Sequence, residues 1–305
     1  MRPNGYAERR LGSGSDAVAS PAGTRVAFVA ESANCPRCPD TYVVATAGGR
    51  SRKIRERAET PRWSPSGRRI AYVVGGAIGG MASVGGDIYL MHADGQHSMP
   101  LAVGRGNDED PVWSSDGTRL VYAHSTIGNS INEIVVVRAD GEHRHVIARQ
   151  GGLFAGEPAW SPRNAIAYSA YGLRQRKGIV VVTDPSGSRR LTLFSKRLTE
   201  FHGLGWSPGG LQLVLDEMHW THPGGGREIE FGRIWIVGAD GRHRQALTSG
   251  RFDDRDPVWS PDGRWVGFTR CKGDRCQVMI VGSSGGQVRP VPTSLRTAHL
   301  DGWTR

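Results

Sequence analysis

Several things are scarce in this 305-residue sequence. No apolar run approaches the ~20 residues of a membrane-crossing helix. The opening residues, Met1-Arg2-Pro3-Asn4-Gly5-Tyr6, hold no apolar segment, so no signal peptide is visible in this numbering. No stretch of useful length carries the 3.6-residue apolar period of an amphipathic helix, which excludes helical bundles and alternating α/β architectures. Lysine is nearly missing: Lys53, Lys177, Lys196 and Lys272 are four of the 39 basic residues. Cysteine occurs only as two tight pairs, Cys35-Pro36-Arg37-Cys38 and Cys271-Lys272-Gly273-Asp274-Arg275-Cys276.

What is present suits an all-β chain. The 43 glycines and 17 prolines fit many short strands joined by tight turns. The formal net charge is +10, with arginine supplying nearly all the positive charge. Such a balance is compatible with nucleic-acid binding, but position argues against it. The basic clusters (Arg52, Lys53 and Arg55; His143, Arg144 and His145; Arg189 and Arg190; Arg242, His243 and Arg244) each follow a turn into a separate last strand. Charge there protects sheet edges. No aromatics alternate with these residues as they do in single-strand binders.

One phrase recurs throughout. Asp256-Pro257-Val258-Trp259-Ser260-Pro261-Asp262-Gly263 is followed by an apolar strand, and Asp110-Pro111-Val112-Trp113-Ser114-Ser115-Asp116-Gly117 nearly repeats it. Further copies centre on Trp63, Trp160 and Trp206, with a degenerate one at Ala19. Proline presets φ for the turn and glycine supplies its positive φ. A recurrence every 44 to 53 residues marks an array or propeller. Each period reads as four strands. In the third they fall at 111–114, 119–123, 133–137 and 145–148, and Ala139-Asp140-Gly141 turns the last pair. The second and third strands are continuously apolar, as expected for strands covered on both faces. Radially stacked four-stranded units form a β-propeller.

The motif set resembles the TolB family of propellers, with their WD-like repeats, over residues ~16–293. The expectation is a single six-bladed propeller domain over 1–305, with blades at 16–58, 59–104, 109–150, 156–194, 202–249 and 255–293. Terminal strands at 5–12 and 299–305 would close the ring; a seven-bladed ring with one incomplete blade is the alternative. The resemblance is to the propeller alone, since there is no room for the α/β domain that precedes it in TolB. Some peptidases also carry such propellers, but their triad lies in a separate α/β-hydrolase domain that has no counterpart here.

Three constellations could carry function. The first is the position three before each anchor, Asp16, Thr60, Asp110, Glu157, Gly203 and Asp256, with His202 adjacent. In a propeller these residues would ring the channel mouth. Carboxylates held together raise one another's pKa unless a cation neutralises them. That points to a divalent cation such as calcium, or to a basic or N-terminal group of a bound peptide. The plainer explanation is that Asp, Glu and Thr cap the turn into the first strand. The second constellation is the segment Asp216, Glu217, His219, Trp220 and His222, read as a long loop that sets specificity. Its His-x-x-His spacing matches no strong metal site. The third is the cysteines: two hairpin disulfides, Cys35 with Cys38 and Cys271 with Cys276, need less coincidence than one shared zinc site.

The reading is a non-catalytic scaffold, monomeric and extracytoplasmic, recognising a protein, peptide or small ligand at the acidic mouth. The alternative is a metal-dependent propeller enzyme, lyase-like or hydrolytic, on the same face.

Overall fold

The computed structural model describes residues 11–292, apart from 12–13, 33–34, 76–85, 127–130, 152–153, 173–175, 221–228 and 274. It is a six-bladed β-propeller whose blades are four-stranded antiparallel sheets, with no helix among the described residues. Blade 1 comprises β1 (Ser15–Ala19), β2 (Arg25–Ser32), β3 (Cys35–Ala45) and β4 (Arg52–Arg55). Blade 2 comprises β5 (Glu59–Trp63), β6 (Arg69–Gly75), β7 (Gly86–His92) and β8 (Met99–Ala102). Blade 3 comprises β9 (Asn107–Trp113), β10 (Arg119–Ser125), β11 (Ile131–Arg138) and β12 (His145–Gly151). Blade 4 comprises β13 (Phe154–Trp160), β14 (Ile166–Gly172), β15 (Lys177–Thr183) and β16 (Arg190–Arg197). Blade 5 comprises β17 (Thr199–Trp206), β18 (Gln212–Trp220), β19 (Ile229–Gly238) and β20 (Gln245–Ala246). Blade 6 comprises β21 (Asp253–Trp259), β22 (Trp265–Lys272), β23 (Arg275–Gly282) and β24 (Arg289–Pro290). Blades 1–3 form one compact unit and blades 4–6 another. The terminal strands expected at 5–12 and 299–305 lie outside the described residues, Leu11 excepted.

The repeated turn is satisfied from within. In blade 3 the Gly117 amide donates to the Ser114 carbonyl (2.9 Å), and the Ser114 amide donates to the Arg119 carbonyl (2.9 Å). Asp116 accepts from the Thr118 amide at 3.0 Å. Those bonds, led by one from the Ser114 hydroxyl, hold its carboxyl below the usual range. Gly117 sits at φ 69°, where a Cβ would be strained. Blade 4 has no glycine there, and Asn164 takes the same left-handed conformation at φ 63°.

The anchor tryptophans staple one blade to the next. Trp63 Nε1 donates to the Val18 carbonyl and Trp113 Nε1 to the Arg62 carbonyl, each at 3.0 Å. In blades 5 and 6, Trp206 and Trp259 donate to Ala159 and Gly205, each at 3.1 Å. The arginine opening the second strand adds to this. Arg25 lies 4.8 Å over the Trp63 ring and Arg69 lies 4.9 Å over Trp113. Arg69 also donates to the carbonyls of Gly117 and Ala139. Part of the arginine excess is therefore inter-blade adhesive. Between blades 1 and 2, 2 and 3, and 5 and 6, the core includes an aromatic nine residues after the anchor, Tyr72, Tyr122 and Phe268, each fully buried.

Candidate functional site

The position three before the anchor is not in a loop. It lies inside the first strand of each blade, because those strands begin earlier than the proline suggested. In blade 2, Glu59 pairs with Val73 but Arg62 pairs with Ala71, so Thr60 and Pro61 together oppose Tyr72. The same bulge recurs in every blade. The bulged residue is left-handed each time: Asp16 φ 50°, Thr60 48°, Asp110 52°, Glu157 49°, Gly203 60° and Asp256 54°. This backbone demand, rather than turn capping, explains the repeated Asp, since Asp tolerates that region better than most residues.

In the unit of blades 4–6 the bulge residues join a hydrogen-bonded network. Glu157 Oε2 accepts from the Gly203 amide at 2.8 Å, and Glu157 Oε1 lies 2.6 Å from His202 Nδ1. The other ring nitrogen, Nε2, is 3.3 Å from Glu200. Burial works against a charged His202, but the bonds to Glu157 and Glu200 outweigh it and raise the pKa to about 11. His202 is thus an imidazolium held between two carboxylates.

Beneath it, Asp216 is fully buried. One of its oxygens accepts from the His202 amide and the other from the Asp256 amide, each at 3.0 Å. Burial pushes its pKa up to about 7, and the charge on His202 pulls the other way. Asp216 therefore ties the first strands of blades 5 and 6 together.

This corrects the expected specificity loop. Asp216, Glu217, His219 and Trp220 all belong to β18, and only His222 falls in 221–228, outside the described residues. Glu217 is buried and bonds Lys196 Nζ (2.7 Å) and Trp235 Nε1 (2.6 Å). His219 stacks on Phe231, with ring centroids 5.2 Å apart. A continuous apolar-to-polar run hid the strand, because polar residues inside a pairing ladder carry no period-2 signal. The acidic neighbours Asp108 and Asp254 are likewise scaffold. Asp254 accepts from Nε and Nη2 of Arg270 at 2.6 and 2.8 Å, and Asp108 lies 2.7 Å from His124 Nδ1.

In the unit of blades 1–3 the carboxylates gather differently. Glu59 is pushed above its usual range by burial, and further by the nearby Asp16 and Glu109. Asp110 lies close by, lining the same cavity as Glu59 and Glu109. The sequence signal was one position upstream of the column first singled out. Four before the anchor the blades carry Ser15, Glu59, Glu109, Gly156, His202 and Arg255.

The cysteines also resolve in part. Cys271 and Cys276 face each other across β22 and β23 and are bonded. Arg255 Nη2 donates to Cys271 Sγ at 3.0 Å. Cys38 is disulfide-bonded too, while the side chain of Cys35 lies outside the described ones. The Cys271–Cys276 bond consumes two thiolates that a shared zinc site would need. Among the described residues no three His, Cys, Asp or Glu side chains are grouped to hold a metal ion.

Comparison with known proteins places the fold. No protein-family profile matches the chain. An uncharacterized peptidase, YuxL of Bacillus subtilis, is 23% identical over 209 residues, covering 68% of this chain and 29% of that protein. The chain thus spans under a third of that relative. The crystal structure of TolB from Acinetobacter baumannii superposes with a TM-score of 0.59 at 20% identity, over 91% of this chain and 65% of that one. An oligogalacturonate lyase from Vibrio parahaemolyticus gives 0.65 at 11% identity, over 89% and 75%. At such identities the likeness is one of fold: a propeller shared by TolB, lyases and peptidases.

Proposed function

We propose that the chain is a non-catalytic binding scaffold. It recognises a protein, peptide or small ligand through the bulge carboxylates Asp16, Asp110, Glu157 and Asp256, with His202 among them. The observation that carries this is the bulge itself. Every blade carries a left-handed residue in its first strand, Gly203 in blade 5, and the other five (Asp16, Thr60, Asp110, Glu157 and Asp256) are at least partly exposed. Within each unit these carboxylates place negative charge on a protein of net charge +10, which favours a basic ligand group. We place the protein in an oxidising compartment, periplasmic or secreted, on the strength of the Cys271–Cys276 disulfide. No helix among the described residues is long and apolar enough to cross a membrane.

The test is capture of partners by the intact protein and by a triple variant, Asp16→Asn, Asp110→Asn and Asp256→Asn. Asparagine accepts the left-handed backbone as readily as aspartate, so the variant removes charge without refolding the bulges. Loss of a specific partner by the variant supports the scaffold reading; equal recovery by both proteins overturns it.

A further inference from the structure

One recurring slot is filled in opposite ways in two pairs of blades. In blades 4 and 5 the bulge residue of one blade, Glu157, meets the residue four before the anchor of the next, His202, at 2.6 Å. The slot there holds a carboxylate and its cation. In blades 1 and 2 the equivalent pair is Asp16 and Glu59, two carboxylates, and Asp16 adds to the upward pressure on the Glu59 pKa. No described side chain forms an ion pair with Glu59, whereas the corresponding His202 has two.

Glu59 also opens onto a cavity. A space of about 160 Å³ between blades 2 and 3 is lined by Glu59, Thr60, Asn107, Glu109 and Asp110. Two strand glycines make that room. A Cβ on Gly75 would collide with Glu59 Oε1, and one on Gly86 would come within 2.9 Å of Asn107 Oδ1. The Thr60 hydroxyl oxygen is sealed from solvent in this wall and has no hydrogen-bond partner. The wall therefore offers acceptors and negative charge.

We propose that this cavity binds a primary ammonium group carried by a peptide, either a lysine side chain or a free amino terminus. This rests on the scaffold reading and names the chemistry of its ligand. A metal fits less well, because the lining carboxylates are not grouped at ligating distance among the described residues. Size points the same way. About 160 Å³ is below the ~300–1,000 Å³ of a pocket for a whole small molecule. An ammonium with two or three methylenes fits it.

The experiment is a calorimetric or NMR titration of the full chain at pH 7.5 and low salt. The probes are Nα-acetyl-lysine methylamide for the side-chain amine, glycine methylamide for the α-amine, and Nα-acetyl-norleucine methylamide as the uncharged control. Saturable binding of either amine but not the control is expected. Glu59→Gln should weaken it at least tenfold. Gly75→Ala, which fills the cavity without changing its charge, should do the same, so a folding defect in one variant does not leave the question open. Binding of neither amine, binding unaltered in both variants, or calcium chloride binding in preference with the same variant sensitivity would each overturn the proposal. A partner lost from the triple Asn variant but retained by Glu59→Gln would sink this site while keeping the scaffold reading.

Discussion

Replacing Asp216 tests the claim that it is a tie rather than a ligand-binding residue. It is fully buried, and its two oxygens take the amides of His202 and Asp256. In Asp216→Ala both amides lose their acceptor, at roughly 1–3 kcal/mol for each donor left dry. The loss should therefore total roughly 2–6 kcal/mol. Asp216→Asn keeps one acceptor oxygen but turns an NH2 toward the other amide, so roughly half that loss is expected. The matched control is Asp256→Asn, an exposed left-handed position that asparagine accepts, expected to lie within ~0.5 kcal/mol of the parent. A chain of this size need not unfold in one step. Urea melts should therefore be paired with amide hydrogen exchange at residues 202 and 256, which reads the local bonds directly. Protection at both amides should fall together in the alanine variant and at one of them in the asparagine variant. Unchanged exchange at both amides in Asp216→Ala, with stability equal to Asp256→Asn, would refute the account of how blades 5 and 6 are joined.

Three further outcomes follow from the same geometry. Trp113→Phe keeps the ring volume in part but strands the Arg62 carbonyl and weakens the Arg69 stacking, so a loss of about 1–3 kcal/mol is expected in thermal or urea melts; no loss would mean the staple is decorative. His202 has a folded pKa raised to about 11, so its stabilisation is complete below pH ~6.5 and declines as pH rises toward 11. Stability measured from pH 6 to 10 should fall less steeply in His202→Gln than in the parent, and parallel curves would contradict the imidazolium assignment. The Cys271–Cys276 bond closes a loop of sequence separation 5, for which chain entropy gives about 2 kcal/mol. Thiol titration of denatured, unreduced protein should find neither residue reactive, and Cys271→Ser with Cys276→Ser should lower stability by about that amount.

Much of the fold was legible in one dimension because a propeller repeats its local chemistry. Each Trp-Ser-Pro-Asp-Gly copy carries its own turn bonds and positive-φ residue, so blade count and strand order followed from period and turn type alone. The hairpin disulfide at Cys271 and Cys276 was legible for the same reason, its partners being close in sequence. The bulges were not. A bulge is a mismatch between two strands, and the proline after Asp110 or Asp256 looked like a strand start when it lies mid-strand. Nor could the fates of the carboxylates be read. Asp216, Glu217, Asp108 and Asp254 became scaffold because cations and amides from other strands or blades reach them, at sequence separations of 14 to 40. The sequence by itself thus determined the propeller, its turns and its tryptophan anchors, all set by local periodicity. Only the tertiary structure decided which acidic residues are buried ties and which stay exposed to solvent. That depends on which donor the neighbouring blade presents, and no local pattern encodes it.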